Sequence, residues 1–191
     1  MKDPIVRFLE LFERAQREER GDATAMSLAT AGTEGRPTVR MVLLKGADAR
    51  GFEFFTNYDS RKARELTARP YAALCLHWPV LKVQVRVEGR VERLTTAESD
   101  TYFATRARLS QLGAWASQQS APLPGRAWLL ARFLRGLARF AGRAVTRPPH
   151  WGGYRVLPER IEFWYDQAHR LHDRVLYERC GDSWRTRRLY P

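Results

Sequence analysis

Apolar and polar residues alternate strictly in the middle of the chain. Val83, Val85, Val87 and Val91 are interleaved with Lys82, Gln84, Arg86, Glu88, Arg90 and Glu92, the pattern of a strand with one dry face and one polar face. Gly89 interrupts it and predicts a bulge or the close approach of another backbone. Shorter apolar runs bounded by turn residues predict strands at Ala25–Thr30, Thr38–Lys45, Gly51–Thr56 and Tyr71–Trp78. Two more are predicted at Tyr154–Tyr165 and Arg174–Leu189, the second containing a Cys-Gly-Asp turn.

Helical spacing brackets these strands. Asp3-Pro4 reads as a cap followed by a first-position proline, and Ile5, Phe8, Leu9, Leu11 and Phe12 predict an amphipathic helix over 4–20 that Gly21 stops. Ser60 is expected to cap a short helix ending before Pro70. Thr95 and Glu98 form a capping box that opens a helix through about Arg106, and Ser110–Ser117 reads as another. Residues 126–141 form a basic amphipathic helix, expected to pack its apolar stripe on the body. Six or seven strands with helices at intervals predict one mainly β domain over 1–191, a small antiparallel barrel with peripheral helices.

Composition narrows the chemistry. Two cysteines without a CxxC and four histidines without ligand spacing give no metal site, and such scattered thiols suit a reducing cytoplasm. The N-terminus is charged throughout, so it is not read as a signal peptide, and no apolar run reaches the length of a membrane span. The formal charge is +12, and only four of the 33 basic residues are lysine: Lys2, Lys45, Lys62 and Lys82. A basic balance admits nucleic acid, an anionic membrane or anionic small ligands. No nucleotide-binding or protease motif is present, so the sequence does not point to a Rossmann or P-loop enzyme. The cations instead cluster at Arg40 and Lys45, at Ser60-Arg61-Lys62 where a helix begins, and at Arg106, Arg108, Ser110 and Gln111, an arrangement able to hold two phosphates. Arg170, His172 and Arg174 alternate and are expected to share one face of an extended segment, with His169 on the surface.

IEFWYDQAHRLHDR closely resembles the C-terminal motif of the pyridoxamine 5′-phosphate oxidases. RMVLLK, FFTN followed by SRKAR, QVRVEG, YFATRARLSQLGAWASQQS and WGGYR match that family in the same order, from about Asp3 to Pro191. The resemblance implies an FMN-binding split β-barrel and a homodimer with one FMN at each of two intersubunit clefts. It implies oxidation of pyridoxamine or pyridoxine 5′-phosphate to pyridoxal 5′-phosphate. Hydride would pass from substrate C4′ to flavin N5, and O2 would reoxidise the flavin with release of hydrogen peroxide. The family's FMN contacts fall on Arg40, Met41, Val42, Leu43, Leu44, Lys45, Phe55, Thr56, Arg61 and Lys62, and continue on Gln84, Gln119, Ser120, Trp164 and Arg174. Its substrate-phosphate contacts fall on Lys45, Tyr102, Arg106 and Ser110. Arg170 and His172 fall beside the pyridine ring as the catalytic pair, and which of them takes the proton stays open.

The chain departs from the family pattern in places. Val83 stands where arginine is common, Ala107 and Leu109 replace a proline and an aspartate, Phe55 replaces a tyrosine and Tyr165 a glutamine or histidine. Family members carry an arm before the first helix, and this chain begins almost at that helix, so the arm's contacts are expected to be lacking. A related flavin oxidase of the phenazine-biosynthesis type is the alternative, and a basic nucleic-acid-binding module a more remote one. The expected partners are a second copy, the phosphorylated vitamer and O2, with no nucleic acid and no membrane.

Overall fold

The computed structural model describes residues 3–191. Helix α1 runs Pro4–Glu18, slightly shorter than expected. The Asp3 side chain accepts from Ile5 N–H at 2.7 Å, and Pro4 fills a position that needs no donor. Ile5, Phe8, Leu11 and Ala15 are buried, whereas Leu9 lies at the margin of the stripe and is exposed. Phe8 meets Phe52 edge-on at 4.7 Å between ring centroids, which fastens α1 to the sheet.

The sheet has nine strands: β1 (Ala25–Ala31), β2 (Pro37–Leu43), β3 (Gly46–Asp48), β4 (Gly51–Asn57), β5 (Tyr71–Trp78), β6 (Val83–Arg93), β7 (Trp151–Tyr165), β8 (Asp173–Cys180) and β9 (Ser183–Leu189). This exceeds the expected six or seven for two reasons. The GADARG turn contains β3, and the last run divides into β8 and β9 at Gly181, whose positive φ supplies the turn. The order is β2-β1-β5-β6-β7-β4-β3, with β8 added to β7 and β9 to β8. Successive partners are antiparallel, and the curled sheet is the split barrel with its helices outside.

Strand β7 organises the barrel. Its first part pairs with β4, from Asn57↔Trp151 to Phe52↔Val156, and its second with β8, from Arg160↔Glu178 to Tyr165↔Asp173. Along its other edge it pairs with β6, where the register shifts between Glu88 and Gly89. A Cβ on Gly89 would overlap the Leu157 carbonyl oxygen, so the approach that the glycine predicted is present along with the bulge. Val83, Val85, Val87 and Val91 are all buried on the inner face.

Among the described residues, five α-helices surround the sheet. α2 (Arg61–Ala68) starts after Ser60, but the Ser60 side chain does not cap it and is turned instead toward Lys62 Nζ at 3.4 Å. α3 (Thr96–Thr105) begins at the Thr95–Glu98 capping box, and α4 is Arg108–Ala116. α5 (Arg126–Arg139) departs from expectation: it packs on α4 rather than on the barrel, and none of its residues is buried. Its Phe133 and Leu137 rest against a second apolar cluster, built on Phe103, Leu112, Phe140 and Trp151.

Candidate active site

A cavity of about 720 Å³ opens between β2, the end of β4 and α2 on one side and α3 and α4 on the other. Its volume is that of a cofactor or ligand site. The lining contains Lys45, Lys62 and Arg106 and no aspartate or glutamate. Three cations facing one space without an acid make it an anion site.

Lys62 forms one pole. Its first turn of α2 is carried in against β4, leaving the residue 7% exposed. Nζ donates to Gln119 Oε1 at 2.8 Å and to Thr56 Oγ1 at 3.1 Å, both neutral acceptors. Burial, with Arg40 adding repulsion and Glu65 partly offsetting it, brings the Lys62 ammonium down to about 8. Ser120, next to Gln119, holds a left-handed backbone at φ 71, so the loop that delivers the amide is locally strained.

Glu65 organises the cations behind Lys62. Its Oε2 accepts from Thr30 Oγ1 and Thr38 Oγ1, each at 2.6 Å, and from Arg40 Nη2 at 3.3 Å, while Oε1 accepts from Arg61 Nε at 2.9 Å. Burial alone would raise this carboxyl; the two hydroxyls, Arg61 and Arg40 outweigh it and bring the carboxyl down to about 2. The sequence signal for Glu65 was its spacing, one helical turn after Arg61.

Arg106 forms the other pole, at the end of α3. Its guanidinium lies 4.7 Å from the Trp151 ring centroid, over the ring. Nη1 is buried and has no hydrogen-bond partner among the described residues. Burial lowers the guanidinium below its ordinary value, with Tyr102 opposing. Tyr102 stacks on Phe55 at 3.9 Å, and both stack toward Trp151, giving an aromatic wall beside the cation. An ammonium among neutral oxygens and a guanidinium with a buried, unspent N–H fit phosphate oxygens, so the donor set suits a phosphorylated cofactor and a phosphorylated ligand.

The residues singled out in the sequence divide into two groups. Met41, Val42, Leu43, Lys45, Phe55, Thr56, Lys62, Tyr102, Arg106, Ser110 and Gln119 line the cavity. Arg40 and Arg61 stand behind it on Glu65. Leu44, within the expected run of contacts, turns its side chain into the barrel core, 2% exposed, because alternation points it away from the side that Leu43 faces. Trp151, Asn57 and Ser117 also line the cavity and were not anticipated. Trp151 opens the WGGYR motif, whose glycines admit Phe55 and Tyr58 against the backbone.

Gln84, Trp164, Arg170, His172 and Arg174 lie outside this cavity, at the far end of β6 and β7 and around the start of β8. The expectation that Arg170, His172 and Arg174 share a strand face is overturned. Ala168–Arg170 make a turn of 3-10 helix, with His169 at φ 57 and Arg170 at φ 61, and the strand begins only at Asp173. Arg174 Nε donates to Glu162 Oε1 at 2.8 Å. The His172 ring lies 4.5 Å from that of Trp164. Its Nδ1 can accept from Gln167 N–H at 3.2 Å or, when protonated, face Asp166 Oδ1 at 3.2 Å.

Comparison with known proteins agrees with this architecture. The family model described as pyridoxamine 5′-phosphate oxidase matches residues 12–140. The model described as pyridoxine 5′-phosphate oxidase C-terminal dimerisation region matches residues 151–191. A pyridoxine/pyridoxamine 5′-phosphate oxidase of Myxococcus xanthus (strain DK1622) is 59% identical over 189 residues, spanning 99% of this chain and 92% of that protein. One of Anaeromyxobacter dehalogenans (strain 2CP-C) is 58% identical, spanning 99% and 96%. Among solved structures, PhzG from Burkholderia lata 383 in complex with tetrahydrophenazine-1-carboxylic acid matches with a TM-score of 0.94 at 34% identity, covering 100% of this chain and 94% of that one. A pyridoxamine 5′-phosphate oxidase-related, FMN binding protein from Nostoc punctiforme PCC 73102 shares the fold, with a TM-score of 0.79 at 16% identity and full coverage of both chains. The full-length match to these enzymes, on a split barrel with a carboxylate-free cavity, shows that the chain belongs to the pyridoxamine 5′-phosphate oxidase family.

Proposed function

We propose that this chain is an FMN-dependent oxidase of pyridoxamine or pyridoxine 5′-phosphate, working as a homodimer. The observation that carries this reading is the pair of anion poles in one cavity, Lys62 at one and the unspent Nη1 of Arg106 at the other. Lys62, with Arg61 beside it, would hold the FMN phosphate. Lys45, Tyr102, Arg106 and Ser110 would hold the phosphate of the vitamer. FMN, when bound, would supply the acceptor for two electrons and pass them to O2; the products are pyridoxal 5′-phosphate and hydrogen peroxide, with one water consumed and ammonia released when the amine is the substrate.

The second group of residues supports the dimer. Trp151 and Trp164 stand thirteen residues apart on β7, roughly 40 Å along the strand at about 3.3 Å per residue. One bound flavin cannot reach both in the same chain. Gln84, Trp164 and Arg174 of one protomer therefore complete the flavin site of its partner, and Arg170 and His172 come with them. Arg170 is a permanent cation and orients the substrate ring. His172 is the group able to accept the proton from the amine or hydroxyl on C4′. The aromatic wall and the apolar residues of β2 exclude water from the closed site.

The test is steady-state oxidation by FMN-loaded protein. The expected result is equimolar pyridoxal 5′-phosphate and hydrogen peroxide from the phosphorylated vitamers, with little turnover of the unphosphorylated ones. Turnover of tetrahydrophenazine-1-carboxylic acid without turnover of either phosphorylated vitamer would assign the chain to the PhzG type instead.

A further inference from the structure

From Thr101 to Pro158 the chain holds nine arginines and no Asp, Glu or Lys. Among the described residues only two of the nine, Arg147 and Arg155, reach a carboxylate. Helix α5 lies in the middle of this stretch. Its inner side, Phe133, Gly136 and Leu137, turns toward α4. Its outer side presents Leu130 and Leu134, 57% and 54% exposed, with Ala131 between them. Trp128, 54% exposed, stands on the arginine side of the helix, two turns before Arg135, whose guanidinium lies 6.0 Å from its ring. Arg132, Arg135 and Arg139 then line a cleft of about 280 Å³ beside Trp115.

This surface combines a strip of leucines with a row of arginines that lack acidic partners. A second copy seated on it across a two-fold axis would bring arginines against arginines. A nucleic acid would neutralise the arginines and leave the leucines in water. A bilayer with anionic headgroups answers both, because an amphipathic helix lies at the boundary with its apolar face in the acyl region and its cations among the phosphates. We propose that α5 docks this enzyme onto an anionic lipid surface, with Leu130 and Leu134 entering the acyl boundary and Trp128, Arg135 and Arg139 at the level of the headgroup phosphates. The helix lies in the plane of the surface; no helix among the described residues is long and apolar enough to cross a membrane. This revises the expectation of no membrane partner, and it does not depend on the reaction proposed above.

The experiment is co-sedimentation of the FMN-loaded enzyme with vesicles of mixed phosphatidylcholine and phosphatidylglycerol, beside vesicles of phosphatidylcholine alone. The wild type is expected to bind the mixed vesicles at low salt and to leave them at high salt. Leu130→Glu/Leu134→Glu and, separately, Arg135→Gln/Arg139→Gln are each expected to weaken binding roughly tenfold or more. Both keep the turnover of the wild type, because none of the four residues lines the active-site cavity. Absence of binding to mixed vesicles overturns the proposal. So does binding that the leucine variant leaves unchanged, which would indicate a polyanion site. Light scattering that shows the wild type in a larger assembly than the leucine variant, without vesicles, overturns it in favour of a second copy.

Discussion

The Arg106 guanidinium lies over Trp151 at 4.7 Å and keeps one N–H buried and unpaired. The stack fixes the fork before a ligand arrives, so little ordering remains to be done on binding. Arg106→Ala is expected to raise the KM for a phosphorylated vitamer by roughly 10–100-fold, the scale of a hydrogen bond to a charged group, and to change kcat much less. Arg106→Lys should recover only part of this, since an ammonium neither forks nor stacks in the same way. An unchanged KM in the alanine variant would remove Arg106 from the phosphate site.

If Lys62 holds the FMN phosphate as proposed, it sets a pH limit on cofactor binding. Its pKa in the folded apoprotein is about 8, below the ordinary 10.5. Between those values the folded chain has lost a proton that the unfolded chain retains, so the penalty for burying the cation is full below pH 8 and fades as pH rises. A bound phosphate raises the Lys62 pKa again, so Lys62 takes up that proton on binding. FMN affinity of the apoprotein is therefore expected to fall as pH rises above 8, measured by quenching of flavin fluorescence. Lys62→Met should bind FMN weakly and without that limb, and riboflavin, which has no phosphate, should show no such limb with either protein.

Glu65 acts in the opposite direction. Its folded pKa of about 2 lies below the ordinary 4.5, so the carboxylate contributes stability above about pH 4.5 and loses it as pH falls toward 2. Glu65→Gln is expected to lose about 1–3 kcal/mol at neutral pH, the scale of its charge-assisted bonds. In urea melts of the apoprotein the gap between variant and wild type should close below pH 4. A gap that persists unchanged at pH 2 would mean that packing, not charge, is what the variant lost.

If each site draws on two chains, defects in opposite halves complement. Lys62→Met and Arg174→Ala homodimers should both be nearly inactive. Co-expression at equal levels should restore about a quarter of wild-type activity, because half of the dimers are mixed and each mixed dimer holds one intact site. Recovery no better than the average of the two variants would place both residues in one chain's site.

Much of this was legible from local pattern. The Val83–Val91 alternation, the Asp3 cap, the Thr95–Glu98 box and the Gly89 bulge each depend on a few neighbouring residues, and each is present in the fold. What was not legible depends on distant partners. Nothing within a few residues of Arg170 announces two successive left-handed residues, so the alternation of Arg170, His172 and Arg174 read as a strand. The role of Glu65 needed Thr30 and Thr38 brought in from another hairpin. The outward-facing leucines of α5 follow the helical period as a buried stripe does, and only the packing of α4 tells which side is covered.

The span of β7 has a consequence for how this enzyme can change. If the flavin site is shared between protomers as proposed, one ribbon carries Trp151 in the wall of one pocket and Trp164 beside the neighbouring pocket, and inserting or deleting a residue between them is felt by both protomers at once. On that arrangement drift in substrate preference is channelled into single side-chain replacements and surface loops, because the length of the ribbon is held constant by two centres together.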